Sequence, residues 1–237
     1  MIRFQKQESI PVKRILEVKA RLGLHEKRLV DLDVLDEIVA TKEHLQNADQ
    51  LFESSITLVK NEGSVLPLSG STQKIAVFSL SSDPGGYFAG RTFIREVKKR
   101  CPGLINFYAD AFTGEEFIQE AIENSSKTDV IVFALFSSLS AWKGTVDLDF
   151  RHIQLVQEAA ANSTPVVVVS FGSPYFLRHF SFVDSYICAY RWAEQAQKAA
   201  ARALFGEIDI KGRLPVSLPG LYPAGHGLAL SKKGKAP

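Results

Sequence analysis

The sequence is short of cysteine, of long apolar runs and of any excess of one charge. It has 237 residues and only two cysteines, Cys101 and Cys188, which are too few for a disulfide framework and favour a reducing compartment. Its longest apolar run, residues 165–171, is far shorter than the ~20 residues that cross a bilayer. The N-terminus is too polar for a signal peptide, so we expect a cytoplasmic protein unless the chain is part of a longer exported one.

Charge and histidine spacing exclude several further classes. Lys plus Arg number 28 against 26 Asp plus Glu, which leaves no basic face for nucleic acid or an acidic membrane. The five histidines never occur as H-x-H or H-E-x-x-H, so no metal site is predicted. The glycine pair at residues 85–86 does not fit G-x-G-x-x-G, so a nucleotide-binding, flavodoxin-like protein is disfavoured and no cofactor is predicted.

Hydrophobic periodicity divides the chain into a helical arm (residues 1–68), an α/β domain (69–230) and a polar tail (231–237). In the arm, the pattern predicts a helix with Pro11 in its first turn and Gly23 at its end, a second over 35–45 and a third from Ala48 towards Val59. The domain alternates buried-type strands with helices, which predicts a three-layer α/β sandwich on a mostly parallel sheet. The predicted strands are 74–80, 104–108, 129–136, 165–171 and 185–190, and the predicted helices are 92–100, 115–125, 150–161 and 193–205.

Ligands of an open parallel sheet collect at the carboxyl ends of its strands. The longest loop there, residues 137–149, is polar and carries Trp142, whose flat ring suits stacking. Two serine patterns at this end lack the context for nucleophilic catalysis: S-x-x-K at 140–143 lies in a loop, and Pro174 after Ser173 removes an oxyanion-hole N–H. Asp147, Asp149 and Glu194 are possible carboxylates for glycoside hydrolysis, although Asp149 is better explained as a helix N-cap.

Three stretches resemble glycoside hydrolase family 3. ESSITLVKNEGSVLPL (53–68), followed by KIAVF (74–78), resembles the entry into the second domain of that family. ALFGEIDIKGRLPVSLP (203–219) resembles the closing motif of the same domain, and VKRILEVKARLGL (12–24) resembles the last barrel helix and linker. The prolines and Gly212 of the closing motif predict a sixth strand over 214–218 at a sheet edge, consistent with the family's six-stranded α/β sandwich.

The resemblance implies a retaining β-glycosidase whose substrate lies between a (β/α)₈ barrel and this sandwich. The family's nucleophile is an aspartate on the barrel, which no residue here matches, so no catalytic residue is assigned. In β-glucosidase-like members the acid is a glutamate in an E-G-x-D context of the sandwich, but Lys143 precedes Gly144 here and residues 137–149 contain no glutamate. In β-N-acetylhexosaminidase-like members a His–Asp pair on the barrel is the acid, so the resemblance favours that branch.

We therefore expect the C-terminal α/β sandwich domain of a family 3 glycosidase, inactive by itself and forming one wall of the sugar site. It would act with a (β/α)₈ barrel domain or partner chain, or associate with itself, and its ligand would be a carbohydrate. A stand-alone, non-catalytic carbohydrate-binding or regulatory module is the alternative. The residues expected to contact the sugar are Trp142, Lys143, Asp147, Arg191 and Trp192.

Overall fold

The computed structural model describes residues 2–83, 86–137 and 148–234, and the chain forms two compact units, Met1–Asn47 and Ala48–Pro237. The first unit begins with helix α1 (Ile2–Arg21). Gly23 follows that helix with a left-handed φ of 68°, which confirms the predicted end. Pro11 lies inside α1, so its predicted place in the first turn is wrong. Helix formers such as Gln5, Lys6 and Gln7 extend α1 upstream of the proline.

The predicted helix over 35–45 is divided in the structure. Helix α2 (Leu35–Ile38) ends after one turn, and Ala40 then takes a positive φ of 56°. Helix α3 (Lys42–Ser55) starts anew, with the Thr41 hydroxyl accepting the His44 N–H at 3.2 Å. The hydroxyl satisfies an otherwise free N–H at the start of α3, and this cap explains why a new helix begins here.

The second unit is built on one six-stranded sheet, in the order β1-β6-β5-β4-β2-β3. The antiparallel pair is β1 with β6, and all other neighbours are parallel. This confirms the predicted α/β sandwich with a mostly parallel sheet. The strands are β1 (Thr57–Asn61), β2 (Ile75–Ser81), β3 (Ile105–Ala109), β4 (Val130–Phe136), β5 (Val166–Ser170) and β6 (Ser185–Cys188).

The sixth strand is not the one that the sequence predicted. Residues 214–218 form no strand, and Leu218 makes only an isolated bridge to Tyr222, because Pro215 and Pro219 have no N–H to donate to a ladder. The sixth strand is instead β1. It lies within the predicted arm of residues 1–68, at the place where the third helix was expected to continue. That helix ends at Ser55, and the sheet therefore begins before residue 69.

Helices cover both faces of the sheet, as right-handed crossovers between parallel strands require. Helices α4 and α7 pack with one set of buried side chains, and α5 and α6 with the other. The central strands β2, β4 and β5 are buried along their whole length, which explains their continuous apolar runs. The helices are α4 (Arg91–Arg100), α5 (Glu115–Ser125), α6 (Phe150–Ala160) and α7 (Glu194–Leu204).

The two edges of the sheet differ. At the β1 edge, the Leu228 N–H donates to the Leu58 carbonyl at 2.7 Å, and a ring nitrogen of His226 lies 2.9 Å from the Val59 carbonyl oxygen. Residues 226–230 thus form an edge strap over β1. The strand β3 at the other edge pairs with β2 alone among the described residues, and its residue Ile105 is exposed.

The closing motif packs against the start of β1 because Gly212 has no side chain. A Cβ on Gly212 would lie 2.4 Å from the Ile56 carbonyl oxygen and 2.6 Å from the Thr57 hydroxyl oxygen. The segment after α7 can therefore approach the start of β1 this closely only with glycine at this position.

Candidate functional site

Polar groups from several loops meet at the carboxyl end of the sheet. Ser82 follows β2, and its hydroxyl accepts the Asp149 N–H at 3.1 Å from the start of α6. Ser137 follows β4 and is buried, and its hydroxyl has no hydrogen-bond partner among the described residues. The candidate site is therefore this carboxyl edge, where the sequence analysis placed it.

Asp149 is the N-cap of α6, as predicted. Its side chain accepts the Arg151 N–H at 3.0 Å, and the Arg151 guanidinium donates back to the same carboxylate at 3.2 and 3.0 Å. Hydrogen bonds from Arg151 hold the pKa of Asp149 below its ordinary value, against the effect of burial. A general acid for glycoside hydrolysis needs a raised pKa, so Asp149 is not suited to that role.

His152 lies one turn into α6 and is only 2% exposed. Its Nδ1 atom is buried without a hydrogen-bond partner within the described ranges. Burial lowers the pKa of His152, and the charge of Asp149 opposes that shift. Burial thus favours the neutral imidazole at this position near the start of α6.

Glu194 is the first residue of α7, at the carboxyl end of the sheet, and it is exposed. It pairs with Lys198 at 2.9 Å and with Arg95 at 3.6 Å. The hydrogen bond from Lys198 lowers the pKa of Glu194. Like Asp149, Glu194 is therefore a poor general acid.

In the loop after β5, Ser173 has a structural role. Ser173 caps the 3₁₀ helix Pro174–His179 by accepting the Tyr175 N–H at 3.3 Å. A Cβ on Gly172 would lie 3.0 Å from both the Phe176 ring and the Ser137 carbonyl oxygen, so the chain is tightly packed here. Ser173 thus acts as a helix cap, and the sequence around it does not have the pattern of a nucleophile elbow.

Trp192 lies in the loop between β6 and α7, and its ring is half-buried against the core. It meets Phe136 edge-to-face, with ring centroids 5.8 Å apart at 84°. The Trp192 carbonyl oxygen accepts a hydrogen bond from the Gln197 side-chain Nε2 at 2.7 Å, and the Gln197 side-chain Oε1 accepts the Phe93 N–H at 3.0 Å. The indole nitrogen is buried and has no hydrogen-bond partner in the part of the chain that is described.

The backbone before Trp192 takes an uncommon conformation. Tyr190 has a positive φ of 62°, which few residues other than glycine adopt. Its hydroxyl bonds to the Thr57 hydroxyl at 2.9 Å, and burial raises the pKa of Tyr190 to about 12. Arg191 follows and is exposed, so the chain turns at Tyr190 and presents Arg191 at the carboxyl edge.

The structure therefore brings Arg191 and Trp192 to the predicted edge of the sheet. The other predicted contacts, Trp142, Lys143 and Asp147, lie outside the described residues, as does the S-x-x-K stretch. Whether any of the five touches a sugar remains a prediction.

The sequence analysis named none of the large exposed apolar side chains at this end. Each belongs to a different segment after a strand, so no local pattern marks them as a group. Their position in the segments that follow the strands is the signal that could have found them. We call them the aromatic rim: Phe88 (57% exposed), Phe112 (76%), Phe150 (67%) and Tyr175 (43%).

Comparison with known proteins identifies the domain. The family model for the glycosyl hydrolase family 3 C-terminal domain matches residues 56–227, more than half of the chain. The chain belongs to this family, and the match begins just before β1, which agrees with the place of that strand in the sheet.

Relatives with different named activities match the chain at similar levels of identity. A Beta-xylosidase of Formosa agariphila is 28% identical over 87% of this chain and 32% of the relative. A Beta-N-acetylglucosaminidase/beta-glucosidase of Cellulomonas fimi is 27% identical over 86% of this chain and 38% of the relative. The chain thus spans about a third of the length of these relatives, and the comparisons leave its branch of the family open.

The solved structures agree on the fold. A beta-glucosidase from Listeria innocua in complex with gluconolactone aligns with a TM-score of 0.71, at 21% identity, over 87% of this chain and 31% of that one. The chain therefore contains the C-terminal α/β domain of a family with glycosidase relatives. Among the described residues, none of the helices has the length and apolar character needed to span a membrane.

Proposed function

We propose that this domain forms one wall of a sugar-binding cleft in a family 3 glycosidase, whose opposite wall and nucleophile come from a (β/α)₈ barrel. The barrel would be another part of the same protein or a partner chain. The sugar contacts proposed for this wall are Trp142, Lys143, Asp147, Arg191 and Trp192.

The observation that carries this proposal is the aromatic rim. Its four side chains are 43–76% exposed and follow different strands at one end of the sheet. Exposed aromatic groups gathered at one end are typical of a surface that another domain or a ligand covers. The lowered pKa values of Asp149 and Glu194 also favour a non-catalytic role for this wall, because neither carboxyl is suited to donate a proton.

We further propose the β-N-acetylhexosaminidase-like branch. Residues 137–149 contain no glutamate, and Lys143 stands before Gly144 where the β-glucosidase-like pattern has the acid. A domain without its own acid fits a branch in which the barrel supplies one. The Cellulomonas fimi relative is a Beta-N-acetylglucosaminidase/beta-glucosidase, which is compatible with this choice.

Turnover of aryl glycosides by the purified 237-residue chain tests the catalytic part. We expect no release of nitrophenol from the β-glucoside, β-xyloside or N-acetyl-β-glucosaminide above the rate without protein. Turnover that Asp147→Asn or Glu194→Gln abolishes would contradict the proposal, because the chain would then hold its own catalytic carboxylate.

Calorimetric titration of the same chain with N-acetylglucosamine, glucose and xylose tests the binding part. We expect little affinity with only one wall present. Sub-millimolar affinity that Trp142→Ala or Trp192→Ala removes would instead support the stand-alone carbohydrate-binding module.

A further inference from the structure

A small cavity lies where the open edge strand β3 ends. It has a volume of about 270 Å³ and is lined by Tyr108, Asp110, Phe112, Thr113 and Phe117. Three of these five side chains are aromatic. Phe117 is on α5, where it meets Phe107 edge-to-face with centroids 6.3 Å apart.

The polar group of this cavity is a buried carboxylate. Asp110 is only 8% exposed. Its Oδ1 atom accepts the Phe112 N–H at 2.9 Å and the Thr113 hydroxyl at 3.3 Å. No ion pair reaches Asp110 within the described chain. A carboxylate buried to this degree is normally paired with a cation, and the described residues place no cationic side chain in an ion pair with Asp110.

The nearest arginine is already engaged. The Arg151 guanidinium donates two hydrogen bonds to Asp149 and a third to the Ala111 carbonyl. It therefore pairs directly with Asp149, and it acts on Asp110 only through the longer-range attraction between their charges, while Asp110 also lines the cavity. Further negative charge comes from α5, which has four glutamates and no basic residue, with Glu115 and Glu116 in its first turn.

This combination selects for positive charge. The faces of aromatic rings are the negative parts of their quadrupoles, so rings around a cavity attract a cation, and an adjacent carboxylate adds to the attraction. The same field repels anions and gives a neutral ligand no charge compensation. The cavity has room for a small organic group but not for an extended polymer.

We propose that the pocket of Tyr108, Asp110, Phe112, Thr113 and Phe117 binds a small organic ammonium ion, with Asp110 as the counter-ion and the aromatic rings against its alkyl groups. This site does not depend on the sugar cleft proposed above. It predicts charge-dependent binding even if the domain has no affinity for sugars.

The test compares choline with 3,3-dimethyl-1-butanol, which replaces the charged nitrogen by carbon and keeps the shape. Each is titrated into the ¹⁵N-labelled 237-residue chain at constant ionic strength, and the amide signals of Phe112 and Thr113 are followed by NMR. We expect choline to bind at least about tenfold more tightly than the neutral alcohol. N-acetylglucosamine is the sugar arm and is expected to leave these amides unchanged.

Variants assign the effect to the pocket. Asp110→Asn keeps an acceptor oxygen for the two local hydrogen bonds and should reduce choline binding to the level of the alcohol. Asp129→Asn is the control, since this exposed carboxylate accepts the Lys74 N–H at the other end of the sheet. Should Asp110→Asn fail to fold, Phe117→Leu removes an aromatic face from a partly exposed position and is expected to weaken choline binding severalfold.

Three results would overturn the proposal. The first is equal binding of choline and the alcohol, and the second is no shift of the pocket amides with choline. The third is a sugar that binds here while choline does not, which would assign the pocket to carbohydrate.

Discussion

Arg100 of α4 grips the Glu207 carboxylate with two parallel hydrogen bonds, Nε to Oε1 at 2.6 Å and Nη2 to Oε2 at 2.7 Å. Arg100 also donates to Glu96 on its own helix. Glu207 also pairs with Arg202 of α7 at 3.9 Å, and Arg202 pairs in turn with Glu53 of α3. The alternating charges thus connect three helices to the segment that follows α7.

Replacement of Arg100 by lysine should lower the free energy of unfolding by about 1 kcal/mol, because lysine cannot form the two-pronged contact. The value is modest since the Glu207 side chain is 40% exposed and water screens the pair. Urea unfolding measures it, with Arg95→Lys as control, whose contact with Glu194 is longer and more exposed. An equal loss in both variants would contradict the special role of Arg100.

Acid should weaken this contact. The hydrogen bond from Arg100 holds the pKa of Glu207 below its ordinary value of about 4.3, so its contribution is complete above that pH. It should be lost as the pH falls and the folded-state carboxyl becomes protonated. Urea unfolding between pH 6 and 3 should show a smaller loss for Glu207→Gln than for the parent chain, and identical slopes would count against it.

His152 should make stability depend on pH in a higher range. Its pKa is lowered in the folded state by burial, so above about pH 6.5 it is neutral in both states and has no effect on pH dependence. As the pH falls below that value, the unfolded chain takes up the proton first and the free energy of unfolding decreases. The charged groups around it, Asp149, Asp110 and Arg151, set the size of the effect.

The measurement is thermal or urea unfolding between pH 7.5 and 5. His152→Gln should flatten the curve in this range, although the variant will start from a lower stability. His44→Gln is the matched control, because His44 is exposed on α3 and should keep the parent's pH dependence. An unchanged slope in His152→Gln would refute the assignment.

Gly212→Ala should destabilise the domain by about 1–3 kcal/mol, since the new methyl group would collide with the backbone of Ile56. Gly103→Ala is the control, because Gly103 has an ordinary φ and open space around its Cβ position. Both variants are compared by urea unfolding. Equal stability of the two would show that the closing segment can shift at no cost.

Tyr190→Phe should cost about 1 kcal/mol, because it leaves the buried Thr57 hydroxyl without its contact across the sheet. A double-mutant cycle with Thr57→Val separates the bond from packing. The coupling should be close to the loss in Tyr190→Phe alone. A coupling near zero would mean that the hydroxyl contact contributes nothing.

Much of the fold could be predicted from the sequence because its central strands are continuous apolar runs and their helices are amphipathic. Helix α5 has the predicted bounds, α4 and α6 differ from them by one residue at one end, and α7 is one residue shorter at each end. The edge strand β1 was missed because Leu58 and Val59 also continue the helical spacing of α3. Long-range pairing with β6 decides between the two, and local propensity does not.

The candidate site divides in the same way. The N-cap role of Asp149 follows from its place directly before a helix, and the structure confirms it. The ammonium pocket could not be predicted, because Tyr108 and Phe117 come from different elements and are brought together only by the end of β3. Likewise, the burial of Asp110 depends on neighbours that no sequence spacing specifies.

The edge strap determines at which edge of the sheet a further strand can pair. Because Leu228 bridges to Leu58 and the His226 ring lies at the Val59 carbonyl, β1 is covered, and β3 is the open edge strand among the described elements. Loss of the chain after residue 225 would open the second margin and leave the Leu58 carbonyl without its donor. We expect a chain shortened in this way to pair at both edges of the sheet and to extend into linear assemblies, whereas the 237-residue chain leaves only the β3 edge open among its described strands.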